Sequence, residues 1–234
     1  MSDNPSSLSY DLHIHSCLSP CADDDMTPGN ILGMASLIGL DVIALTDHNS
    51  CKNCPAILKM AQEFPLRVIP GMELTTSEEV HVLCYFRSLG EAMAFDGFVE
   101  RHLLPIPNQP ELFGNQLICD ENDRVCKTYG NLLISATDIS FFQLGEVVRN
   151  YHGVMVPAHI DKNSNSLLSQ LGFVPEGCGF ACFEVHDIGK AAELRGRFPV
   201  LEECSVLCSS DAHRLEALHE REYFLDDEVL AGVL

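Results

Sequence analysis

Six short runs of the chain are apolar along most of their length: DVIAL (41–45), RVIPG (67–71), HVLCYF (81–86), GVMVPA (153–158), FACFEV (180–185) and SVLCS (205–209). Unbroken runs of this kind, without polar alternation, suit strands buried on both faces, as in a parallel sheet. Between them the spacing turns helical. In TPGNILGMASLIGL, Thr27 is the expected N-cap, Pro28 the first helical residue and Gly39 the C-terminal stop. KNCPAILKMAQEF continues in the same way, and TDISFFQLGEVVRNYHG is expected to start at Thr137 or Asp138 and stop at Gly153. Strand and helix alternate, so the predicted class is α/β. One stretch breaks the rhythm: residues 88–131 hold a single helical piece and then Pro, Asn, Gly and charged residues without period. Such a stretch inside one domain reads as an insertion, a lid or a substrate wall.

The 234 residues suffice for one large domain or two small ones. Acidic residues outnumber basic ones by 34 to 14, a formal net charge of −20, and no basic stripe exists for a duplex backbone. The expected partner is therefore a small molecule and not duplex nucleic acid. An anionic substrate still fits an acidic chain if divalent ions reverse the charge locally. No run approaches the ~20 apolar residues of a membrane span. The opening MSDNPSSLSY has neither a basic start nor an apolar stretch, and the expected location is cytoplasmic. Eleven cysteines, an odd number, then read as reduced core residues. CKNC (51–54) has redox spacing, or half of a zinc-ribbon spacing, but no second pair follows it.

The chemistry lies in where the metal-binding types fall. The stretch DLHIHSCLSPCADDDMTP (11–28) places His13 and His15 on one side of a strand end. His48 in TDHN follows DVIAL, Glu73 follows RVIPGM, His81 starts HVLCYF, His159 closes GVMVPAHI, and Asp211 and His213 follow SVLCS. In a barrel of parallel strands, function collects at the C-terminal strand ends, and five of these six groups lie there. Imidazole and carboxylate ligands suit zinc, manganese or iron. They outnumber what one tetrahedral ion takes and fit two or three divalent ions.

DLHIHS, TDHN, GMEL followed by EEVHVL, PAHI and SSDAH, in this order, resemble the metal-dependent phosphoesterases of the PHP (polymerase and histidinol phosphatase) superfamily. The resemblance implies a distorted (β/α)7 barrel with the inserted segment inside one domain. It implies a first ion on His13, His15, Glu73 and Asp211. Glu73 bridges to a second ion on His81 and His159. His48 and His213 hold a third, with an acidic residue soon after the HxH pair. Counting back from TP selects Asp23; Asp24 is the rival, and counting forward selects Cys21. PAHIDK lacks the proline common in relatives after the histidine, and here Lys162 is a candidate phosphate contact, as is Arg214 after the last motif.

The expected reaction is hydrolysis of a phosphate ester, a small monoester or a nucleotide, by water bridging two ions. Asp211 would orient that water or take its proton, and His48 or His213 would assist the leaving group where not occupied by metal. Asp11 and Asp47, beside ligand histidines, are candidates for fixing an imidazole tautomer, whereas Glu184, His186 and His152 read as structural. A phosphodiesterase acting on short oligonucleotides and a non-catalytic metal-binding domain are the alternatives. No GxSxG elbow is present for serine-hydrolase chemistry.

Overall fold

The computed structural model describes residues 7–226 together with 229 and 230, so the first six residues of the polar opening lie outside it. In chain order the elements are β1 (Ser7–Ile14), α1 (Pro28–Ile38), β2 (Val42–Leu45), α2 (Cys54–Met60), β3 (Arg67–Thr75) and β4 (His81–Tyr85). Next come α3 (Leu89–His102), α4 (Pro110–Phe113), β5 (Leu117–Cys119), β6 (Val125–Thr128), α5 (Phe141–Asn150) and β7 (Val154–Pro157). The last are α6 (Leu167–Leu171), β8 (Cys182–Glu184), α7 (Ala191–Arg197), β9 (Ser205–Leu207) and β10 (Phe224–Asp226).

The fold is a mixed α/β architecture built on a curled six-stranded sheet in the order β10-β1-β2-β3-β4-β7. β1, β2 and β3 pair in parallel, whereas β4 runs antiparallel to β3 and β7 antiparallel to β4. β8 and β9 form a separate parallel pair. That pair leans on the sheet at two places: Ile160 N–H donates to Glu184 O, and a parallel bridge joins His15 N–H to Ala212 O and Ala212 N–H to His13 O. The sheet is thus mixed and curled into a half-barrel, whereas the apolar runs suggest parallel strands. Unbroken apolar runs report burial on both faces, not direction. The connection from β3 to β4 is a tight turn, with Thr76 N–H on Val80 O, too short for a parallel crossover.

Alternation along the strands sorts the core into an outer layer under the helices and an inner layer inside the curl. Ile69 on β3, Leu83 and Tyr85 on β4, Val156 on β7, Cys182 on β8 and Leu207 on β9 belong to the inner layer. Continuing the same inner rows by steps of two reaches Glu73, His81 and Glu184. In β1 the row switches. Leu12 packs inside but Ile14 packs outside, because the β1–β2 register shifts between Asp11 and Ile14. The shift turns His13 and His15 inward. The antiparallel β4 explains why His81, at a strand start, joins the others: it pairs with Thr75 at the far end of β3.

Thr27 caps α1 by accepting from Asn30 N–H, and Gly39, at φ 83°, ends it. α5 begins later than expected, at the Ser140 cap. Thr137 is instead committed to β3, its N–H and hydroxyl both donating to Thr75 O, and Asp138 accepts from the His102 ring. The first part of the expected insertion is an ordinary core helix: Ala92, Phe95 and Val99 of α3 are buried in the outer layer. The irregular excursion starts after it and is fastened down. Asn53 donates to Leu117 O and Ser16 Oγ and accepts from Cys119 N–H. Asp123 accepts from Gly29 N–H and Thr27 Oγ at the start of α1. All eleven cysteines are free and nine are buried. Cys51 and Cys54 both donate to the Gly71 carbonyl, so the CKNC pair serves packing.

Removing the buried Asn53 side chain takes away its hydrogen bonds to two backbone groups of β5, Leu117 O and Cys119 N–H. Asn53→Ala should lower unfolding stability by about 2–3 kcal/mol in urea titration; a loss within error would show that the excursion is not held through this residue.

Candidate metal centre

At the end of the curl where the inner rows turn polar, five imidazoles surround one carboxylate. Glu73 is fully buried. Its Oε1 lies 2.9 Å from His81 Nδ1, 3.0 Å from His159 Nε2 and 3.3 Å from His13 Nε2. Its Oε2 lies 3.0 Å from His48 Nδ1 and 3.4 Å from His15 Nε2. Asp211 Oδ1 lies 3.3 Å from His13 Nε2 and 3.2 Å from His15 Nε2. Three groups have ligand atoms close enough to share an ion: His13, His15, Glu73 and Asp211; His48, Glu73 and His81; and His15, His48 and His213.

The hydrogen-bond network assigns the protons of His13, His15 and His213 to Nδ1, whereas His81 Nδ1 and His159 Nε2 bond Glu73 Oε1 itself. Glu184 Oε2 accepts from His13 Nδ1 at 2.9 Å, so His13 Nε2 carries a lone pair. Ser19 donates its hydroxyl hydrogen to Asp47 Oδ1 at 2.7 Å, so it accepts from His15 Nδ1 at 2.9 Å. His213 Nδ1 donates to Asp211 O. The neutral rings therefore aim bare nitrogens at carboxylate oxygens and at each other, with His13 Nε2 and His15 Nε2 3.1 Å apart. Glu73 Oε2, Asp211 Oδ1, His48 Nδ1 and His159 Nδ1 are buried without a hydrogen-bond partner. Spacings of about 3.0–3.4 Å are those between neighbouring ligands around an ion with bonds of about 2.1 Å. The donor set fits divalent metal ions.

Without an ion, protons take the place of the cation. Burial opposes charge on His13, but Glu184, Asp211 and Glu73 overcome it and hold the ring well above its usual range. Burial likewise opposes charge on His15, and the same Asp211 and Glu73 raise it to about 8. Burial lowers His48 to about 4 and His213 to about 3. Burial works against ionised Glu73 and Asp211 too, yet neighbouring imidazoles bring both carboxyls well below their ordinary values.

The backbone is bent to deliver these groups. His159 has φ 30° and Asp211 φ 54°, positive values uncommon for such residues. The structure gathers His13, His15, His48, Glu73, His81, His159, Asp211 and His213 at one end of the curl. Lys162 joins them, its Nζ 2.5 Å from Asp211 Oδ2. Asp23 and Arg214 do not join. Their side chains pair with each other at 3.6 Å and are 52% and 65% exposed. Asp24 accepts from Asn115 on the excursion. Cys21 is exposed, its thiol raised to about 12 by partial burial with Glu73 and Asp211 adding to the rise, and Asp23 donates its backbone N–H to His213 O.

Glu184 was read from the sequence as structural, yet it holds His13 and also accepts from His159 N–H at 3.0 Å. Its one signal was its place at the end of FACFEV. Asp47 acts on His15 through Ser19, whose hydroxyl also accepts from His48 N–H. Asp11 touches no ligand imidazole. It accepts from Ser210 N–H and His219 N–H, fixing the loop that carries Asp211. His186 donates its backbone N–H to Asp161 on the rim, and His152 follows α5.

Two outcomes follow from this geometry. Glu184→Ala should weaken metal affinity by about 10–100-fold in a chelator competition, and Glu184→Gln by less, because the amide oxygen can still accept from His13; equal affinities would remove Glu184 from this role. In chelator-treated protein, the raised His13 and His15 stabilise the fold below the ordinary 6.5; the His15 share is lost as pH rises through about 8, and the His13 share as pH rises well above 6.5. The lowered His48 and His213 cost stability as pH falls from 6.5 towards about 4 and 3. The melting temperature of the ion-free chain should therefore peak near pH 6.5, and the alkaline fall should shrink in metal-loaded protein. A flat alkaline limb without metal would contradict the proton assignment.

The PHP domain family model matches residues 11–156. An uncharacterized protein of Methanocaldococcus jannaschii is 36% identical over 79 residues, which cover 30% of this chain and 46% of that relative, less than half its length. A Bifidobacterium adolescentis protein assigned as a metal-dependent phosphoesterase superposes with a TM-score of 0.65 at 18% identity, covering 96% of this chain and 95% of the other. The lesion-specific endonuclease PfuEndoQ of Pyrococcus furiosus gives 0.63 at 19% identity, covering 93% of this chain but 51% of the other. The chain thus spans about half the length of that endonuclease, and at these identities the structural likeness concerns the fold. With the family model covering more than half of the sequence and the metal-ligating types meeting at one end of the curl, the chain belongs to the PHP domain family.

Proposed function

We propose that the chain is a metal-dependent hydrolase of phosphate esters, acting on a small phosphomonoester or a nucleotide at a centre of two or three divalent ions. The observation that carries this reading is the set of bare nitrogen and oxygen atoms of His13, His15, Glu73 and Asp211 facing one another with no proton between them when the rings are neutral. Family membership supplies the reaction class. His13, His15, Glu73 and Asp211 would hold one ion; Glu73 with His81 and His159 would hold a second; His48 and His213, beside His15, would serve a third. Zinc, manganese and iron all suit this donor set. Bound ions supply an activated water at neutral pH and neutralise the phosphoryl oxygens.

The chain's own groups then divide the work. Asp211, its carboxyl held well below the usual range, stays ionised and accepts a hydrogen bond from the attacking water. His48 and His213, lowered to about 4 and about 3, stay neutral near pH 7 and act as ligands rather than proton donors. Lys162, whose Nζ rests on Asp211, is placed to contact a phosphoryl oxygen. Arg214 points outward to Asp23 and has no such contact.

Protein purified without chelator should carry two to three metals per chain by elemental analysis and release phosphate from an aryl phosphate when manganese is added. His13→Ala should abolish the release. Metal without turnover on any mono- or diester would favour the binding-domain alternative, and nucleoside monophosphates released from oligonucleotides would favour the phosphodiesterase. Fewer than two metals after manganese loading would overturn the centre.

A further inference from the structure

Two thiols that the centre does not use meet where the excursion is fastened to the loop after the HxH pair. Cys17 Sγ lies 3.6 Å from Cys119 Sγ, across 102 positions of sequence. Both side chains are buried and both thiols are free. Hydrogen bonds on either side hold the two in register. Leu117 N–H donates to Cys17 O. Asn53 accepts from Cys119 N–H, while its Nδ2 lies 3.9 Å from Cys17 Sγ. The bonds that build the wall therefore also set the two sulfurs against each other.

The two differ in access. Cys119 lines a cavity of about 540 Å³ between α2 and the turn after β5, together with Pro55, Leu58, Lys59, Asp120 and Glu121. Cys17 stands behind it, fully buried and outside that lining. Another pair of thiols, Cys51 and Cys54, is turned to one acceptor, the Gly71 carbonyl, and packs in the outer layer of the core.

We propose that Cys17 and Cys119 are a redox latch: hydrogen peroxide entering the cavity oxidises the pair to a disulfide that locks the excursion to the loop after the HxH pair. The Cys119 sulfur attacks the O–O bond and takes one hydroxyl, becoming a sulfenic acid, and its proton leaves with the other hydroxyl as water. The Cys17 sulfur then displaces the sulfenic hydroxyl, which departs with the Cys17 proton as a second water. Two thiols lose two electrons and two protons in all, and one peroxide becomes two waters. The contact of 3.6 Å shortens to a bond of about 2.05 Å. A dithiol reverses the step by exchange. The latch is independent of the phosphoesterase reading. It bears on the centre through Ser16, next to Cys17, whose N–H and hydroxyl both donate to Asp47.

The test is chemical mapping of the unaltered chain. Full-length protein in the presence of zinc, which does not cycle with peroxide, is treated with stoichiometric hydrogen peroxide. Free thiols are then alkylated, and peptides are mapped by mass spectrometry without reduction. The expected product is a Cys17–Cys119 cross-linked peptide pair, two hydrogens lighter than the separate peptides and lost on dithiothreitol treatment. It should be at least tenfold more abundant than a Cys51–Cys54 bond. Cys17→Ser should stop the reaction at oxidised, uncrosslinked Cys119. In the oxidised chain, amide hydrogen exchange over residues 117–128 should slow at least tenfold. Oxidation confined to the two exposed thiols, Cys21 and Cys126, would overturn the proposal, as would a dominant Cys51–Cys54 bond. A Cys17–Cys119 bond that leaves exchange unchanged would overturn the latch.

Discussion

A carboxylate sealed from water has to be compensated, and at Glu73 that requirement shapes the molecule. Its two oxygens meet five imidazoles, from β1, the loop after β2, the start of β4 and the loop after β7. An isolated ion in such a place would neutralise itself by taking up a proton. Here the surrounding rings keep Glu73 ionised, and the outer contacts of those rings decide which nitrogen faces it. Glu184 and the Ser19–Asp47 pair therefore matter as much as the ligands, because they decide that His13 and His15 present lone pairs. The mutual repulsion of those lone pairs can be relieved by protons or by metal ions, and the two compete for the same atoms.

That competition needs a stiff frame, since ligands free to swing apart would discard the repulsion and the site with it. Stiffness comes from both sides. Below the centre, the inner apolar rows of Leu12, Ile69, Leu83 and Val156 are close to fully buried. Beside it, the excursion after α3 is bound to the loop that follows the HxH pair: Leu117 N–H donates to Cys17 O, and Asn53 joins Ser16 to β5. Ser16 in turn donates to Asp47 through its N–H and its hydroxyl. The excursion thus acts as a wall whose attachment runs through the side chains of Asn53, Ser16, Asp47 and Ser19 to the ring of His15.

Much of this was legible in the sequence, for reasons specific to each residue. His13, His15, Glu73, His81 and His159 stand at ends of apolar runs, and strand burial makes such ends conspicuous. Strand direction was not legible, since an apolar run reads the same in a parallel and an antiparallel neighbour; the short turn before His81 was the available clue. The register shift in β1 leaves no mark in composition, although it is what turns the HxH pair inward. Asp23 was chosen by counting along a loop, and loops do not preserve spacing: its carboxylate faces Arg214 while its backbone N–H meets His213 O. Glu184 was passed over because one acid in a run of apolar residues carries no motif. Its partners come from residues 171 and 25 positions away.

The net charge of −20 sets a limit that the centre then exceeds locally. On the proposed reading, two divalent ions would bring more positive charge than Glu73, Asp211 and Glu184 together remove, and Lys162 would add to the surplus. This positive field is short in reach, because salt screens charges over about 8 Å at physiological ionic strength. A small ester entering the curl comes within that distance of the ions and soon leaves the acidic exterior behind. A long polyanion keeps most of its phosphates outside, against the carboxylates of the surface, and gains from the centre over one or two phosphates at most. On the proposed reading, the same imbalance of charge that makes the centre attractive at close range would therefore favour substrates small enough to be held almost wholly within it.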